Sequence, residues 1–244
     1  MEEKNKTFSK NLHNWNITAK EAIKIQEDLS KKVIIKNEFS KIKKIAGADA
    51  AYLLKEENKV IAAVVLFSFP ELEVIEYSFA IKKVYFPYIP GLLTFREGPA
   101  LVYAIKQLNE QPDLIMFDGQ GIAHPRGLGI ASHLGVALDM VTIGCAKKRL
   151  IGRWENLGED KGEYVPLIKN GKRIGVVLRS RKGVKPIFVS PGHKIDIETS
   201  VDFVLKCLSR FRLPEPTRKA HQLCEKIKKE GLNFDKRELF YNIS

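Results

Sequence analysis

The sequence predicts an α/β protein built on a mixed β-sheet, and three observations carry that reading. Three segments of strand character follow one another between Lys44 and Lys82, separated only by short polar breaks. From Glu97 onward, helical and strand-like segments alternate. One of these, the short apolar run Leu114-Ile115-Met116-Phe117, stops at an acidic residue and opens into a Gly-rich loop, as strands of open α/β sheets do where they meet ligands.

The elements follow in order. Thr18 followed by Glu21 is a capping-box pattern, and Ile23, Gln26, Leu29 and Val33 recur at helical spacing, so a helix is expected from Thr18 to about Val33. Lys44–Leu54 is the first strand and Lys55–Asn58 a polar turn. Lys59–Phe69 is apolar on both faces, which suits a central strand. Pro70-Glu71 breaks it, and Leu72–Lys82 alternates as a third strand, completing an antiparallel meander. A loop rich in Pro, Gly and aromatics spans Tyr85–Arg96, then a helix spans Glu97–Asn109. After Leu114–Phe117 comes the loop Gly119–Gly129, a helix over Ile130–Leu138 and a strand over Val141–Ala146. Lys147–Tyr164 reads as a long basic excursion, Arg173–Leu178 and Pro186–Val189 as strands, and Ser200–Leu208 and Thr217–Glu230 as helices. A meander followed by alternating helix and strand is the order of the RNase H-like fold, an architecture that does not itself specify function. No repeat, low-complexity tract or linker divides the chain, so residues 1–244 are expected to form one domain, with a loose start over 1–12.

Composition narrows the function. Hydrophobic residues make up 44% of the chain, enough for a substantial core. A net charge of +12 favours a polyanionic partner such as nucleic acid over a basic one. Cys145, Cys207 and Cys224 are too few and too scattered for a disulfide framework or a four-cysteine zinc site, which fits a cytoplasmic protein. No apolar run approaches the roughly 18 residues of a membrane span, and no membrane partner is expected.

Asp49 lies within a strand among small residues, Ala46-Gly47-Ala48-Asp49-Ala50-Ala51. Aspartate is disfavoured in strands, and the two-residue period places Gly47, Asp49 and Ala51 on one face, where small neighbours would admit a bulky ligand. Asp118 ends its strand; Asp118-Gly119 would equally serve as a simple turn. Glu97 follows Arg96 at a helix start, where it could do no more than complement the helix dipole. If the first and fourth strands are neighbours, Asp49 and Asp118 converge, and two ionised carboxylates at close range call for a cation. Mg²⁺ suits such an oxygen donor set. His221 lies on the last helix, which in such a fold can return to the acidic cluster. Lys147, just after a strand, is placed to reach a phosphate.

Two loops could read a base. In Pro87-Tyr88-Ile89-Pro90-Gly91 the prolines stiffen the backbone and the glycine permits a turn, giving a rigid tip of the kind that inserts between bases. Packing of this loop on the core is the competing reading. The loop Gly119–Gly129 carries Gly121, His124 and Arg126; its glycines would let backbone N–H groups approach an extruded base. It lacks the Gly-Lys-Ser/Thr of a nucleotide P-loop.

Taken together these segments resemble the endonuclease V family. The resemblance rests on Gly47-Ala48-Asp49, Pro87-Tyr88-Ile89-Pro90-Gly91 with Phe95-Arg96-Glu97, and Asp118-Gly119-Gln120-Gly121 continuing through His124-Pro125-Arg126 to Ala131-Ser132-His133. Gly144-Cys145-Ala146-Lys147, Ser190-Pro191-Gly192-His193 and Leu213-Pro214-Glu215-Pro216-Thr217-Arg218 extend it, and the tail over 225–244 is not covered. It implies an RNase H-like core and dependence on Mg²⁺, with Mn²⁺ as a substitute. The implied reaction is hydrolysis of the second phosphodiester bond 3′ to hypoxanthine, leaving a 3′-hydroxyl and a 5′-phosphate. Asp49 and Asp118 would hold the metal, Glu97 and His221 would complete the catalytic set, and Lys147 would support the phosphate. Pro87, Tyr88, Ile89, Pro90 and Gly91 would form a strand-separating wedge, and Gly121, His124 and Arg126 would belong to the base-reading loop. The implied partner is deoxyinosine-containing DNA, bound by a monomer. Two alternatives stand beside it: an inosine-directed endoribonuclease, since eukaryotic members prefer RNA, and a basic module that binds nucleic acid without cutting it.

Overall fold

A computed structural model describes residues 13–53 and 58–230. The start expected over 1–12 and residues 55–57 of the polar turn lie outside them. One eight-stranded sheet organises the chain, in the order β3-β2-β1-β4-β5-β8-β7-β6. β1 (Lys44–Leu53), β2 (Lys59–Ser68) and β3 (Val74–Lys83) form the antiparallel meander. β4 (Leu114–Phe117) joins β1 in parallel, and β5 (Val141–Ala146) joins β4 in parallel. β6 (Tyr164–Lys169), β7 (Lys172–Leu178) and β8 (Ile187–His193) complete the sheet, all antiparallel.

Side-chain alternation sorts the helices to the two faces. Ala46, Ala48, Val60, Ala62, Val64 and Leu66 turn toward α2 (Thr94–Gln107) and α3 (Ile130–Leu138). Ile61, Ala63, Val65 and Phe67 turn the other way, against Ala220, Leu223, Cys224 and Ile227 of α5 (Glu215–Glu230). α4 (Ile197–Lys206) covers β7 and β8 through Val201 and Val204. β2 is thus buried on both faces, as its unbroken apolar run predicts. α1 (Ala19–Ser30) begins at a complete capping box: the Glu21 backbone N–H donates to Thr18 Oγ1 at 3.3 Å, and the Thr18 N–H donates to the Glu21 carboxylate at 2.7 Å.

Besides shifts of two or three residues at the ends of α1, β3, α2 and α5, the structure departs from the sequence reading at β6, β8 and α4. β6 is not among the expected strands: it starts at Tyr164, where the expected basic excursion ends. It carries Pro166, which a sheet tolerates on an edge strand, and β6 is the edge. β8 runs on through Ser190-Pro191-Gly192-His193, absorbing an extra residue where Ile143 faces Pro191 and Thr142 faces His193. α4 starts at Ile197, three residues before the expected Ser200, because Asp196 caps it by accepting from the Thr199 N–H at 2.7 Å.

Candidate active site

Strand register builds the site. Ala48 pairs with Phe117 across the parallel β1–β4 pair, and the Asp118 N–H donates to the Ala48 carbonyl at 2.9 Å. Asp49, midway along β1, and Asp118, just past the end of β4, therefore emerge side by side where the parallel pairing of the two strands stops, the kind of place at which such sheets bind ligands. β5 is the next strand over, and Lys147 follows its last residue; Nζ forms a salt bridge with Asp118 Oδ2. Arg212 steadies that turn, donating to the Lys147 carbonyl at 2.6 Å and to the Pro186 carbonyl at 2.9 Å.

Helix α5 brings His221. A Cβ on Gly47 would fall 1.9 Å from the Pro216 carbonyl oxygen, so only glycine lets the start of this helix lie on β1. This corrects the expectation that the small residues around Asp49 make room for ligand: at Gly47 the room is filled by α5. The consequence is a His221 Nδ1–H donating to Asp49 Oδ2 at 2.7 Å. Lys147 Nζ lies 3.3 Å from the same nitrogen. Glu97 arrives from the first turn of α2, beneath the cluster and buried. It hydrogen-bonds to Tyr52, whose hydroxyl also accepts from Arg96 Nε at 3.2 Å.

Crowded carboxylates dominate the electrostatics. Burial first, then the neighbouring Asp49 charge, push Glu97 up to about 8. The same two causes push Asp118 up to about 6, with Lys147 pulling the other way. His221 is raised, chiefly by its hydrogen bond to Asp49. Burial also pushes the Tyr52 phenol up, so it remains a donor. One ligand atom from each of Asp49, Asp118 and His221 falls within 4.8 Å of the others. Because His221 Nδ1 is already committed to Asp49, the two carboxylates are the groups that could hold a metal ion. Their hard oxygen set suits a hard divalent cation.

The loop residues gather in a second group. Three donors meet on the Gly91 carbonyl: Gln26 Nε2 at 3.0 Å, His124 Nε2 at 3.0 Å and Arg126 at 2.9 Å. Burial, reinforced by Arg126, lowers His124 to about 4, so it is neutral; it donates from Nε2 and accepts the Arg126 N–H at Nδ1, 3.3 Å away. His124 and Arg126 thus brace the proline-bracketed loop against the Gly-rich one. Arg96 clasps its other end, donating to the Phe86 carbonyl at 2.5 Å. At the tip Tyr88 is 72% exposed, with Pro87 and Pro90 also exposed, whereas Ile89 leans into the Phe86, Leu92 and Phe95 cluster. Gly121 sits deeper: its N–H donates to Ser190 Oγ at 2.9 Å, and a Cβ there would fall 1.9 Å from the Pro191 carbonyl oxygen.

Two contributors escaped the sequence reading. Alternation puts Tyr52 on the face opposite Asp49, so nothing marked it as a partner of Glu97. Gln26 was counted in an apolar helical stripe, although a glutamine there is itself the signal of a buried polar contact.

An RNase H-like sheet carrying paired carboxylates from adjacent parallel strands, with a lysine from the next strand's end and a histidine from the last helix, has the layout of a nuclease. The comparisons give the family. The Endonuclease V sequence profile matches residues 27–222. An endonuclease V of Trichormus variabilis is 51% identical over 214 residues, covering 86% of this chain and 96% of that protein. The crystal structure of the Streptomyces avermitilis endonuclease V superposes with a TM-score of 0.83 at 39% identity, covering 89% of this chain and 96% of the other. That of Ciona intestinalis, in complex with a 23mer DNA containing an inosine followed by a ribo-adenosine, gives 0.77 at 30% identity, covering 88% and 99%. The chain belongs to the endonuclease V family, and it is a nuclease of that type rather than a module that only binds.

Proposed function

We propose that this protein is a Mg²⁺-dependent repair endonuclease that nicks DNA at the second phosphodiester bond 3′ to deoxyinosine, leaving a 3′-hydroxyl and a 5′-phosphate. The observation that carries the chemistry is the convergence of Asp49 and Asp118 from adjacent parallel strands, with His221 hydrogen-bonded to one and Lys147 paired to the other. Asp49 and Asp118 would hold the ion, with Mn²⁺ a workable substitute. Mg²⁺ bound there would acidify a water and offset charge on the phosphate oxygens. His221, tied to Asp49 through Nδ1, keeps Nε2 to hold or pass a proton near the scissile phosphate. Lys147 offers a cation to a non-bridging phosphate oxygen. Glu97, buried behind the pair and raised to about 8, would give up its proton when a cation binds and then add negative charge that favours it.

Recognition would fall to the second group. Tyr88 at the braced tip would fill the stack left by an extruded base, and the loop of Gly121, His124 and Arg126 would border the pocket receiving it. An unstacked, mispaired base costs less to extrude, and hypoxanthine lacks adenine's exocyclic amine. A monomer of this size would suffice. The buried thiols of Cys145, Cys207 and Cys224 suit the cytoplasm. Among the described residues no helix is long and apolar enough to cross a membrane.

The ribonuclease reading is favoured by one observation: the strand bound by the Ciona relative carries a ribonucleotide directly after the inosine. The deciding experiment is a nicking assay with Mg²⁺ on matched duplexes, one carrying a single deoxyinosine, and on a single-stranded RNA carrying inosine. A nick one nucleotide beyond the lesion in DNA is expected. Cleavage of the RNA alone would assign the protein to inosine-directed RNA turnover, and cleavage of neither would overturn the proposal.

A further inference from the structure

Glu97 stands where its neighbours repel it. Its side chain is buried, and the charges of Asp49 and Asp118 both act against its own. It rides on a flexible side chain from the first turn of α2, so a partner must hold it there. The Tyr52 hydroxyl does so from β1. The Tyr52 ring packs against the cluster that α2 forms with the sheet, and its backbone is in register with Val60 of β2, so the hydroxyl has little freedom. The same oxygen accepts from Arg96 Nε at 3.2 Å. Arg96 is pinned in turn, donating to the Phe86 carbonyl at 2.5 Å, with its guanidinium 5.1 Å from the centre of the Tyr52 ring. A guanidinium has donors only, so Tyr52 accepts from Arg96 and its single proton is left for Glu97. The order is therefore fixed: Arg96 donates to the phenol, and the phenol donates to the carboxylate.

We propose that Tyr52 is a positioning residue for the cation site: its hydroxyl holds the Glu97 carboxylate beside Asp49 and Asp118, where a third negative charge strengthens the grip on a divalent ion bound by the two aspartates. Tyr52 packs on the face of β1 opposite Asp49 and acts through Glu97. A third carboxylate adds attraction only while it stays close, because the interaction falls with distance. Partners behind a ligand set are worth about 10- to 100-fold in metal affinity. The phenol also serves as a spacer. Arg96 attracts Glu97, and Tyr52 stands between them in the chain of hydrogen bonds. Without the hydroxyl, repulsion from the aspartates would turn the carboxylate toward Arg96, and a direct ion pair would cancel the charge that the cation uses. This role rests on the reading above that Asp49 and Asp118 hold the ion.

The test measures Mn²⁺ binding to the full-length protein without nucleic acid, from the electron paramagnetic resonance signal of the free ion. Tyr52→Phe keeps the ring and removes only the hydroxyl. It should weaken Mn²⁺ binding about tenfold, while melting in chelator remains a single cooperative transition. Glu97→Gln keeps the shape and removes the charge, and should cost as much. Adding Tyr52→Phe to Glu97→Gln should cost less than about twofold more, because the hydroxyl then has no charge to hold. Tyr164→Phe, on edge strand β6, controls for the loss of a phenol and should bind as wild type does. Wild-type Mn²⁺ affinity in Tyr52→Phe would overturn the proposal. So would losses that multiply in full in the double variant, since Tyr52 would then act other than through Glu97. Mn²⁺ binding that survives Asp118→Ala undiminished marks the other failure: the ion is then not held by the two aspartates, and the proposed metal site falls together with this role for Tyr52.

Discussion

His221 Nδ1 and Asp49 Oδ2 are 2.7 Å apart although 172 residues separate them in the chain. The bond couples the last helix to the first strand, so the proposed catalytic cluster exists only when α5 is docked on β1. Removing either carboxylate of the pair should abolish cutting without removing the basic surface that holds nucleic acid. Asp49→Ala and Asp118→Ala are each expected to lower the nicking rate by at least about 10³-fold. His221→Ala is expected to lose about 10²-fold, within the usual range for a proton-transfer group. Binding at low salt should stay within a few-fold for all three. Rates within tenfold of wild type in either aspartate variant would remove that residue from the metal site.

Gly47 offers a test of how the helix is seated. A methyl group there meets the Pro216 carbonyl at 1.9 Å and backbone atoms on both sides of it, none of which can swing away as a side chain could. Gly47→Ala should therefore lift α5 from β1, costing about 3 kcal/mol by overpacking, and pull His221 off Asp49. Thermal melting and nicking should fall together. A variant that melts normally but is inactive would mean that Gly47 faces substrate after all.

Much of this was readable in advance, for reasons that differ by residue. Asp49 announced itself because a carboxylate amid alanines in a strand has no packing role, and the parallel neighbour for Asp118 followed from element order. The partner of Glu97 was not readable, because Tyr52 lies on the face of β1 opposite Asp49, where it meets α2, and the sequence does not say which face that helix covers. The brace on Gly91 was hidden too: three donors from α1 and the Gly-rich loop converge on a backbone carbonyl, and no sequence pattern marks an acceptor that every residue possesses. Edge strand β6 is short, polar and interrupted by Pro166, so no alternation in the sequence marks it.

Buried Glu97 predicts a pH-dependent stability that a divalent cation should suppress. Its folded-state pKa is raised to about 8 from the ordinary 4.5, so the folded protein binds a proton more tightly than the unfolded chain. That contribution is complete below about pH 4.5 and is lost as pH rises through about 8. In chelator, the melting temperature should decline between pH 6 and pH 8.5, and Glu97→Gln should flatten the decline. Adding Mg²⁺ should raise the melting temperature more at pH 8 than at pH 6, and not at all in Asp118→Ala. An identical pH profile for wild type and Glu97→Gln would contradict the burial argument.

Tyr88 should matter for discrimination rather than for attachment. It is exposed at the tip of a loop held at both ends, by the Gly91 brace and the Arg96 clasp, so truncating it removes a ring without loosening the loop. Tyr88→Ala is expected to cut the ratio of lesion to control affinity by about tenfold, the worth of roughly one stacked aromatic, while the salt slope stays constant. An unchanged ratio would show that the tip does not enter the duplex.

The pair formed by His13 and His133 should make the protein acid-sensitive. His13 donates from Nδ1 to the Asn14 carbonyl at 2.7 Å, which leaves its Nε2 to accept from His133 Nε2–H at 2.7 Å. Both rings are thus neutral, and Trp15 stacks on His133 with centroids 5.8 Å apart. Burial lowers the pKa of each, that of His133 well below the ordinary range, where repulsion from a protonated His13 would add to the effect. A histidine depressed in the folded state stabilises fully above about pH 6.5 and loses that contribution as pH falls, because only the unfolded chain takes up the proton. For fully buried His133 the loss should approach about 1.4 kcal/mol for each pH unit below 6.5. Unfolding free energies measured between pH 7.5 and pH 5 should fall more steeply in wild type than in His133→Gln, by about one proton. Equal slopes would mean that His133 can be protonated in place, and that the segment bearing His13 and Trp15 does not depend on its neutrality.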